Sequence, residues 1–240
     1  MMSNVIRPFP QYLWFLMMSF TIVIMMSNWF DPRLISLFGF VTTPGTLIFP
    51  LTYLLSDLIT EVYGYKHARR AIWAGFLFNF VFIAFGQIVT HLPSPAFATQ
   101  NAAFGQVFTS NIQIIIGSAL SYLIAEPLNA IVMAKLKLYF YGRYMGVRFV
   151  VSTVFAAGLD SFLFMIIAFY GVLSTSQIVK VALTVWFIKV VIEVIGLPIS
   201  IRLAKKLKKE ERLDMFDGNT TFNLFRLEAN YDGEDNAFKG

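Results

Sequence analysis

Long apolar runs separated by short polar stretches dominate the 240-residue chain. Six of these runs are each close to the ~20 residues that an α-helix needs to cross a bilayer. They cover residues 11–29, 46–63, 71–90, 111–136, 147–172 and 178–202. The pattern predicts an all-α integral membrane protein with six transmembrane helices in residues 1–203. Residues 204–240 are polar and rich in Asp, Asn and Gly, which predicts a largely disordered tail.

Prolines interrupt the apolar pattern at three places inside the predicted spans: Pro50, Pro127 and Pro198. A proline removes a backbone donor, and the groups it frees must be satisfied by protein or by a water-lined cavity. We therefore expect kinked or interrupted helices there. A further apolar piece, residues 34–41, is too short to cross a bilayer and predicts a re-entrant or interfacial segment.

The composition agrees with a membrane protein: 57% of residues are hydrophobic and only 14% are charged. A water-soluble domain usually carries about a quarter charged residues. The net charge of +5 does not indicate a nucleic-acid partner, because the basic residues cluster at the ends of apolar runs. The chain has no cysteine and two histidines, so we expect neither a metal site nor a cofactor.

The basic residues alternate between the connections and so predict the orientation. They are frequent after the second, fourth and sixth runs, and rare in the intervening loops. The frequent ones are Lys66, Arg69, Arg70; Lys135, Lys137, Arg143, Arg148; and Arg202, Lys205, Lys206, Lys208, Lys209. Because positive loops stay on the cytoplasmic side, this pattern predicts that both termini and the polar tail are cytoplasmic.

Charged residues inside the spans are the strongest functional signal. Of the 14 acidic residues, eight lie after residue 203 and Asp31 lies in a loop. The other five lie inside predicted spans, together with one basic residue, Lys189: Asp57, Glu61, Glu126, Asp160 and Glu193. Six unpaired charges facing lipid would cost on the order of 15 kcal/mol. They must therefore pair, protonate or line a hydrated cavity, which points to a transporter.

Asp57 and Glu61 are four residues apart, so they share one helix face and are candidates for substrate binding. Glu61 has an alternative role as the ion-pair partner of Lys66 or Arg69. Asp160 is isolated in its span and is a third candidate for substrate binding.

Two further pairs have open interpretations. Glu126 precedes Pro127 and lies three residues before Asn129, so the two polar residues serve either a broken helix or a ligand. Lys189 and Glu193 are four residues apart and form either a structural ion pair or a coupling site.

Three segments resemble the vitamin uptake transporter family, whose named members are queuosine precursor transporters. They are SDLITEVYGYKHARRAIW (56–73), EPLNAIVMAKLKLYFYGRYMGVRFVVST (126–153) and AGLDSFLF (157–164). The resemblance implies a six-helix inner-membrane importer, and not an enzyme, for 7-cyano-7-deazaguanine and 7-aminomethyl-7-deazaguanine. It also implies an architecture related to the substrate-binding subunits of energy-coupling-factor transporters.

A deazaguanine presents N1–H and an exocyclic amine side by side, two donors that one carboxylate can accept. Asp57, Glu61 and Asp160 are the expected anchors, with Glu126 and Asn129 beside them. The sequence has no G-x-x-x-x-G-K-[ST] loop, so uptake is ion-coupled, facilitated or driven by a separate ATPase module. Uptake of another purine-like or vitamin-like molecule and a non-transporting membrane scaffold stay open, as does the oligomeric state.

Overall fold

The computed structural model describes residues 10–30, 33, 35–37, 40–95, 97–108 and 112–238. The described residues form eight α-helices, one two-stranded antiparallel β-sheet and one turn of 3-10 helix (Gly233–Asp235). In chain order the elements are α1 (Leu13–Phe30), β1 (Ile35–Leu37), β2 (Phe40–Thr42), α2 (Pro44–Ile48), α3 (Pro50–Tyr63), α4 (Tyr65–Thr90), α5 (Asn101–Phe108), α6 (Ile112–Tyr139), α7 (Met145–Phe169) and α8 (Thr175–Glu211).

Five stretches of the described chain are long and apolar enough to cross a membrane. They are α1, α2 together with α3, α4, α6 and α7. The sixth expected span lies within α8, which runs for 37 residues and is not among these five. Large apolar side chains point outward from the helices, for example Phe85, Phe155 and Ile195. The predicted class, an all-α integral membrane protein, is confirmed.

The second predicted span is broken at Pro50. Helix α2 ends at Ile48 and α3 begins at Pro50, with Phe49 between them. Proline fits the first turn of a helix, where a backbone donor is not needed. The interruption expected at Pro50 is therefore confirmed, whereas α6 and α8 continue through Pro127 and Pro198.

In the short apolar piece before Pro44, the described residues form two paired β-strands. Strand β1 pairs with β2 in an antiparallel register, with Ile35 opposite Thr42 and Leu37 opposite Phe40. Asp31, expected in a loop here, lies outside the described residues.

Helix α3 is the centre of the bundle. It packs against α1, α2, α4, α6, α7 and α8, and most of its side chains are buried. A helix enclosed on all sides presents its polar groups to protein rather than to lipid. This placement allows α3 to carry polar side chains at membrane depth.

The polar C-terminal segment, residues 212–238, is packed against the bundle rather than largely disordered. Helix α8 also continues to Glu211, so the expected boundary at residue 203 falls inside a helix. Arg69 on α4 is buried and donates to the carbonyl oxygens of Thr221, Asn223 and Glu228 at 3.3, 2.6 and 2.8 Å. These bonds satisfy backbone groups of a segment that has little secondary structure of its own.

Several basic regions meet at one end of the bundle. Helix α4 begins directly after Gly64, so the cluster at residues 66–70 lies in its first turns rather than in a loop. Glu211, at the end of α8, accepts hydrogen bonds from the N–H groups of Gln11 and Tyr12 at 3.0 and 2.7 Å. The start of α1, the start of α4 and the end of α8 therefore share one side, as the alternation of charges predicts. Which side is cytoplasmic stays a prediction.

Candidate functional site

A buried group of polar side chains, here called the carboxylate cluster, lies where α3, α6, α7 and α8 face one another. Each member is at most 6% exposed, and most are completely buried. The members are Tyr53 and Asp57 from α3, Glu126 and Asn129 from α6, Asp160 from α7, and Lys189 and Glu193 from α8. The structure thus brings together all the predicted site residues except Glu61.

Asp57 and Asn129 form a cross-helix pair inside this cluster. The Asn129 amide donates to Asp57 Oδ1 at 2.8 Å. Asp57 Oδ2 and Asn129 Oδ1 have no hydrogen-bond partner among the described residues. The pair therefore offers two free acceptors in the protein interior.

Glu126 lies beside the break between α2 and α3. The Thr52 hydroxyl is 2.9 Å from Glu126 Oε1 and 2.7 Å from the carbonyl oxygen of Phe49. Glu126 Oε2 has no partner within the described part of the chain. Glu126 thus contacts the interrupted helix α2–α3, not a break in its own helix, which continues through Pro127.

Lys189 pairs with Asp160 across the α7–α8 interface. Its ammonium also lies 4.5 Å from the centre of the Phe49 ring, a cation–π arrangement. Glu193, one turn further along α8, is fully buried, and neither of its oxygens has a partner among the described groups. The structure therefore pairs Lys189 with Asp160 rather than with Glu193, and Glu193 has no partner among the described residues.

Glu61 belongs to a separate ionic network, although it is only four residues from Asp57. Its two oxygens accept from Arg148 at 2.5 and 3.0 Å, and one also accepts from Lys208 at 2.5 Å. Asp214 of the C-terminal segment lies 2.7 Å from both Lys208 and Lys137. The network around Glu61 thus joins α3, α6, α7, α8 and the C-terminal segment.

The partners of Glu61 differ from those expected. Lys66 and Arg69 instead donate to carbonyl oxygens of the C-terminal segment, such as those of Asn230 and Asn223, both at 2.6 Å. Glu61 is therefore paired with basic side chains, and Lys66 and Arg69 with backbone oxygens, and in each case the partner is distant in sequence. Glu61 therefore holds helices together at the end of the bundle where the basic regions meet.

Sequence reasoning missed Lys137 and Arg148 because it treated them as charges of a connecting loop. Both are almost completely buried, and Lys137 also donates to the carbonyl oxygens of Glu61 and Met215 at 2.6 Å each. Long basic side chains near a helix end can reach inward or outward, and the sequence does not distinguish the two. Tyr53 was missed too, although its position four residues before Asp57 places it on the same face of α3.

The carboxylate cluster has more hydrogen-bonding capacity than the described protein groups use. Besides the free oxygens of Asp57, Asn129, Glu126 and Glu193, the Tyr53 hydroxyl has no partner among the described residues. Each unsatisfied buried polar group costs about 1–3 kcal/mol, so native proteins contain few of them. Such a concentration at membrane depth is typical of a site that receives a polar ligand.

Comparisons with known proteins identify the family of the chain. Residues 43–203 match the family described as "Putative vitamin uptake transporter". The chain is 25% identical over 183 residues to the "Probable queuosine precursor transporter" of Bacillus subtilis (strain 168), an alignment that covers 75% of this chain and 79% of that protein. No solved structure matches the chain significantly.

The region that matches the family contains α2 to α7, most of α8, and every residue of the carboxylate cluster. Apolar helices, buried carboxylates at membrane depth and the family match therefore lead to one conclusion. The chain belongs to the vitamin uptake transporter family and is a multi-pass membrane protein with a transporter role.

Proposed function

We propose that this transporter imports the queuosine precursors 7-cyano-7-deazaguanine and 7-aminomethyl-7-deazaguanine across the inner membrane. The observation that carries the proposal is the pair of free acceptors, Asp57 Oδ2 and Asn129 Oδ1, in a fully buried site. The name of the Bacillus subtilis relative supports the choice of substrate class.

The hydrogen-bonding edge of a deazaguanine suits these acceptors. Its N1–H and exocyclic amine are adjacent donors, and a carboxylate with a neighbouring amide oxygen accepts two such donors. Lys189 uses one of its three ammonium donors on Asp160, so another can donate to the carbonyl oxygen of the ligand. The N1–H, the exocyclic amine and the carbonyl oxygen of the ligand then each have a partner.

Two aromatic rings provide a surface for the flat heterocycle. Phe49 and Tyr53 lie edge to face with their centroids 5.6 Å apart, next to the carboxylate cluster. Aromatic pairs of this kind add about 0.5–1.5 kcal/mol beyond the apolar area they bury. The free Tyr53 hydroxyl adds a donor beside the acids. One ligand can therefore stack on these rings and form hydrogen bonds with the carboxylate cluster at the same time.

Substrate entry requires the helices to move. A cleft of about 10 Å³, lined by Asn28, Asn79, Tyr122 and Phe49 among others, adjoins the site and has room for about one water molecule. Phe49 both lines this cleft and contacts Lys189. Because Phe49 joins α2 to α3, a rotation at this break would open a path from the cleft to the carboxylate cluster.

Within this proposal the predicted site residues divide into two groups. Asp57, Glu126, Asn129 and Asp160 contribute to the substrate site, whereas Glu61 stabilises the helix ends because its oxygens already accept three hydrogen bonds. The proposal includes a cytoplasmic location for both termini, which the gathering of basic regions at one end of the bundle supports.

The test is ligand binding by purified protein, read as thermal stabilisation. The panel contains the two deazaguanines, guanine, biotin and riboflavin. A ligand present at 100 times its Kd stabilises a folded protein by about 2.7 kcal/mol. We expect the two deazaguanines to raise the unfolding midpoint most, and Asp57→Asn to abolish that shift. Asp232→Asn, the same change at an exposed position, is the matched control.

Other outcomes decide between the alternatives. Stabilisation by a vitamin, without any by the deazaguanines, would replace the substrate class. Stabilisation by none of the panel, together with no uptake of labelled 7-cyano-7-deazaguanine into proteoliposomes, would contradict the proposal.

A further inference from the structure

The charges of the carboxylate cluster do not balance. It holds four carboxyl groups and one ammonium, and the ion pair between Lys189 and Asp160 uses the ammonium. Nearby basic side chains are already engaged, because Arg148, Lys208 and Lys137 surround Glu61 and Asp214. Three carboxyl groups therefore remain in the cluster without a cationic partner among the described residues. Ionising all three in a low-dielectric interior is strongly unfavourable.

Hydrogen counting at Thr52 indicates that the cluster holds protons. Thr52 has one hydroxyl hydrogen, yet its oxygen lies 2.7 Å from the Phe49 carbonyl and 2.9 Å from Glu126 Oε1. Both neighbours are acceptors when Glu126 is ionised, so only one bond can form. Both form together when Glu126 carries a proton and donates to Thr52, while Thr52 donates to Phe49. The geometry thus fits a protonated carboxyl group in the cluster.

Glu193 lacks the hydrogen bonds that would stabilise a negative charge on its carboxyl group. Asp57 receives a hydrogen bond from Asn129, and Glu126 lies within hydrogen-bond distance of the Thr52 hydroxyl, but Glu193 has no hydrogen-bond partner among the described residues. It is also completely buried. Of the three uncompensated acids, Glu193 is thus the one with neither a cation nor a hydrogen-bond partner among the described residues.

The described titratable groups around Glu193 include one cation, Lys189, and it is already paired with Asp160. The titratable groups that interact with it, or lie on the elements that pack against α8 beside it, are Tyr53 and Asp57 of α3, Glu126 of α6, Asp160 of α7, and Lys189 on its own helix. The short helix α2 contributes none. The described His, Asp and Glu residues include no group of three arranged to hold a metal ion. A proton on Glu193 removes its charge without any further cation.

We propose that Glu193 binds a proton from the outer solution, carries it with the substrate and releases it to the cytoplasm. The proposal deepens the proposed function and rests on it. The step forms one O–H bond on Glu193 from external water and breaks it on the opposite side, so no other reactant is needed. Asp57, held by Asn129, stays available as the acceptor for the substrate. Uptake of a neutral deazaguanine is therefore driven by a proton gradient.

The experiment uses proteoliposomes, 7-cyano-7-deazaguanine and an imposed pH gradient, acid outside, with the membrane potential clamped. One coupled proton allows about tenfold accumulation of a neutral substrate per pH unit of gradient. We expect wild-type protein to accumulate substrate in this way. Glu193→Gln should only equilibrate it, while still exchanging labelled for unlabelled substrate. Glu210→Gln, the same change in a partly exposed residue that lies 3.8 Å from Lys206, should behave as wild type.

Accumulation by Glu193→Gln equal to that of wild type would overturn the proposal, as would accumulation driven by a sodium gradient at equal pH. Exchange by wild type without gradient-driven accumulation would overturn the proton coupling alone. Absence of exchange by wild type would overturn the proposed function as well.

Discussion

Two acids four residues apart on α3 should respond in opposite ways to the same substitution. Glu61→Gln removes a carboxylate that accepts three hydrogen bonds from Arg148 and Lys208. Asp57→Asn removes a carboxylate that has no cationic partner and one free oxygen. We therefore expect Glu61→Gln to lower stability and preserve binding. Asp57→Asn should preserve stability and weaken binding.

The expected loss of stability in Glu61→Gln depends on the contacts that Arg148 and Lys208 keep. Breaking a buried ion pair by removing one side costs about 3–5 kcal/mol, because the other charge is left uncompensated. Arg148 keeps the carbonyl oxygens of Arg143 and Gly142 at 3.0 and 3.3 Å, and Lys208 keeps Asp214. These contacts place the loss near the lower end, about 3 kcal/mol. For a chain of this size that is a fall in the unfolding midpoint of about 6–12 °C.

The expected loss of ligand binding in Asp57→Asn follows from the replacement of one hydrogen-bond acceptor by a donor. The new amide turns an acceptor into a donor that opposes the N–H groups of the ligand. Leaving buried donors without acceptors costs about 2–4 kcal/mol, which corresponds to a Kd increase of roughly 30- to 1,000-fold. Stability should change little, because a neutral side chain is easier to bury than an anion.

Both variants are measured in detergent by thermal unfolding, and by titration with 7-aminomethyl-7-deazaguanine. Glu210→Gln is the control, since its pair with Lys206 is solvent-exposed and such pairs contribute about 0–1 kcal/mol. Unfolding of Glu61→Gln at the wild-type temperature would contradict the structural role of Glu61. Binding by folded Glu61→Gln as weak as that by Asp57→Asn would contradict the separation of Glu61 from the substrate site.

Three further predictions test the topology, the α7–α8 pair and the C-terminal segment. An impermeant thiol reagent should label Asn101→Cys from outside intact cells but Asp232→Cys only after permeabilisation, and the reverse pattern would invert the orientation. The double variant Asp160→Asn, Lys189→Met should recover the folded yield that each single variant loses, but not uptake; recovery of uptake as well would make the pair purely structural. Arg69→Leu removes donors to three carbonyl oxygens and should speed tryptic cleavage within residues 212–238, whereas unchanged cleavage would show that this contact does not hold the segment.

Much of the fold follows from local sequence pattern. The membrane class and the approximate positions of the apolar helices depend on runs of about 20 apolar residues, a property of each segment alone. The break at Pro50 is also local, because proline lacks the backbone donor. The pairing of strands β1 and β2 and the packing of residues 212–238 against α4 were not predicted. Both depend on contacts between segments that carry no strong pattern of their own.

Much of the candidate site was predictable as well, because charged groups at membrane depth are costly and therefore stand out in an apolar run. This reasoning identified Asp57, Glu126, Asp160, Lys189 and Glu193 as special, and they meet in one cluster. It did not assign Thr52 or Phe49 a role, since threonine and phenylalanine are ordinary residues in a membrane helix. Their importance comes from their place at the α2–α3 break beside Glu126 and Lys189.

The sequence by itself determined that this is a helical membrane protein with acids buried at depth, because hydrophobicity and the cost of burying charge act residue by residue. Only the tertiary structure decided which charges meet. Arg148 reaches Glu61 from 87 positions away, while Lys189 pairs with Asp160 of another helix rather than with Glu193 one turn along its own. Such choices depend on how each helix is rotated and how deep it sits. Helix rotation and depth are set by the packing of the whole bundle. The sequence pattern of a single segment does not determine them.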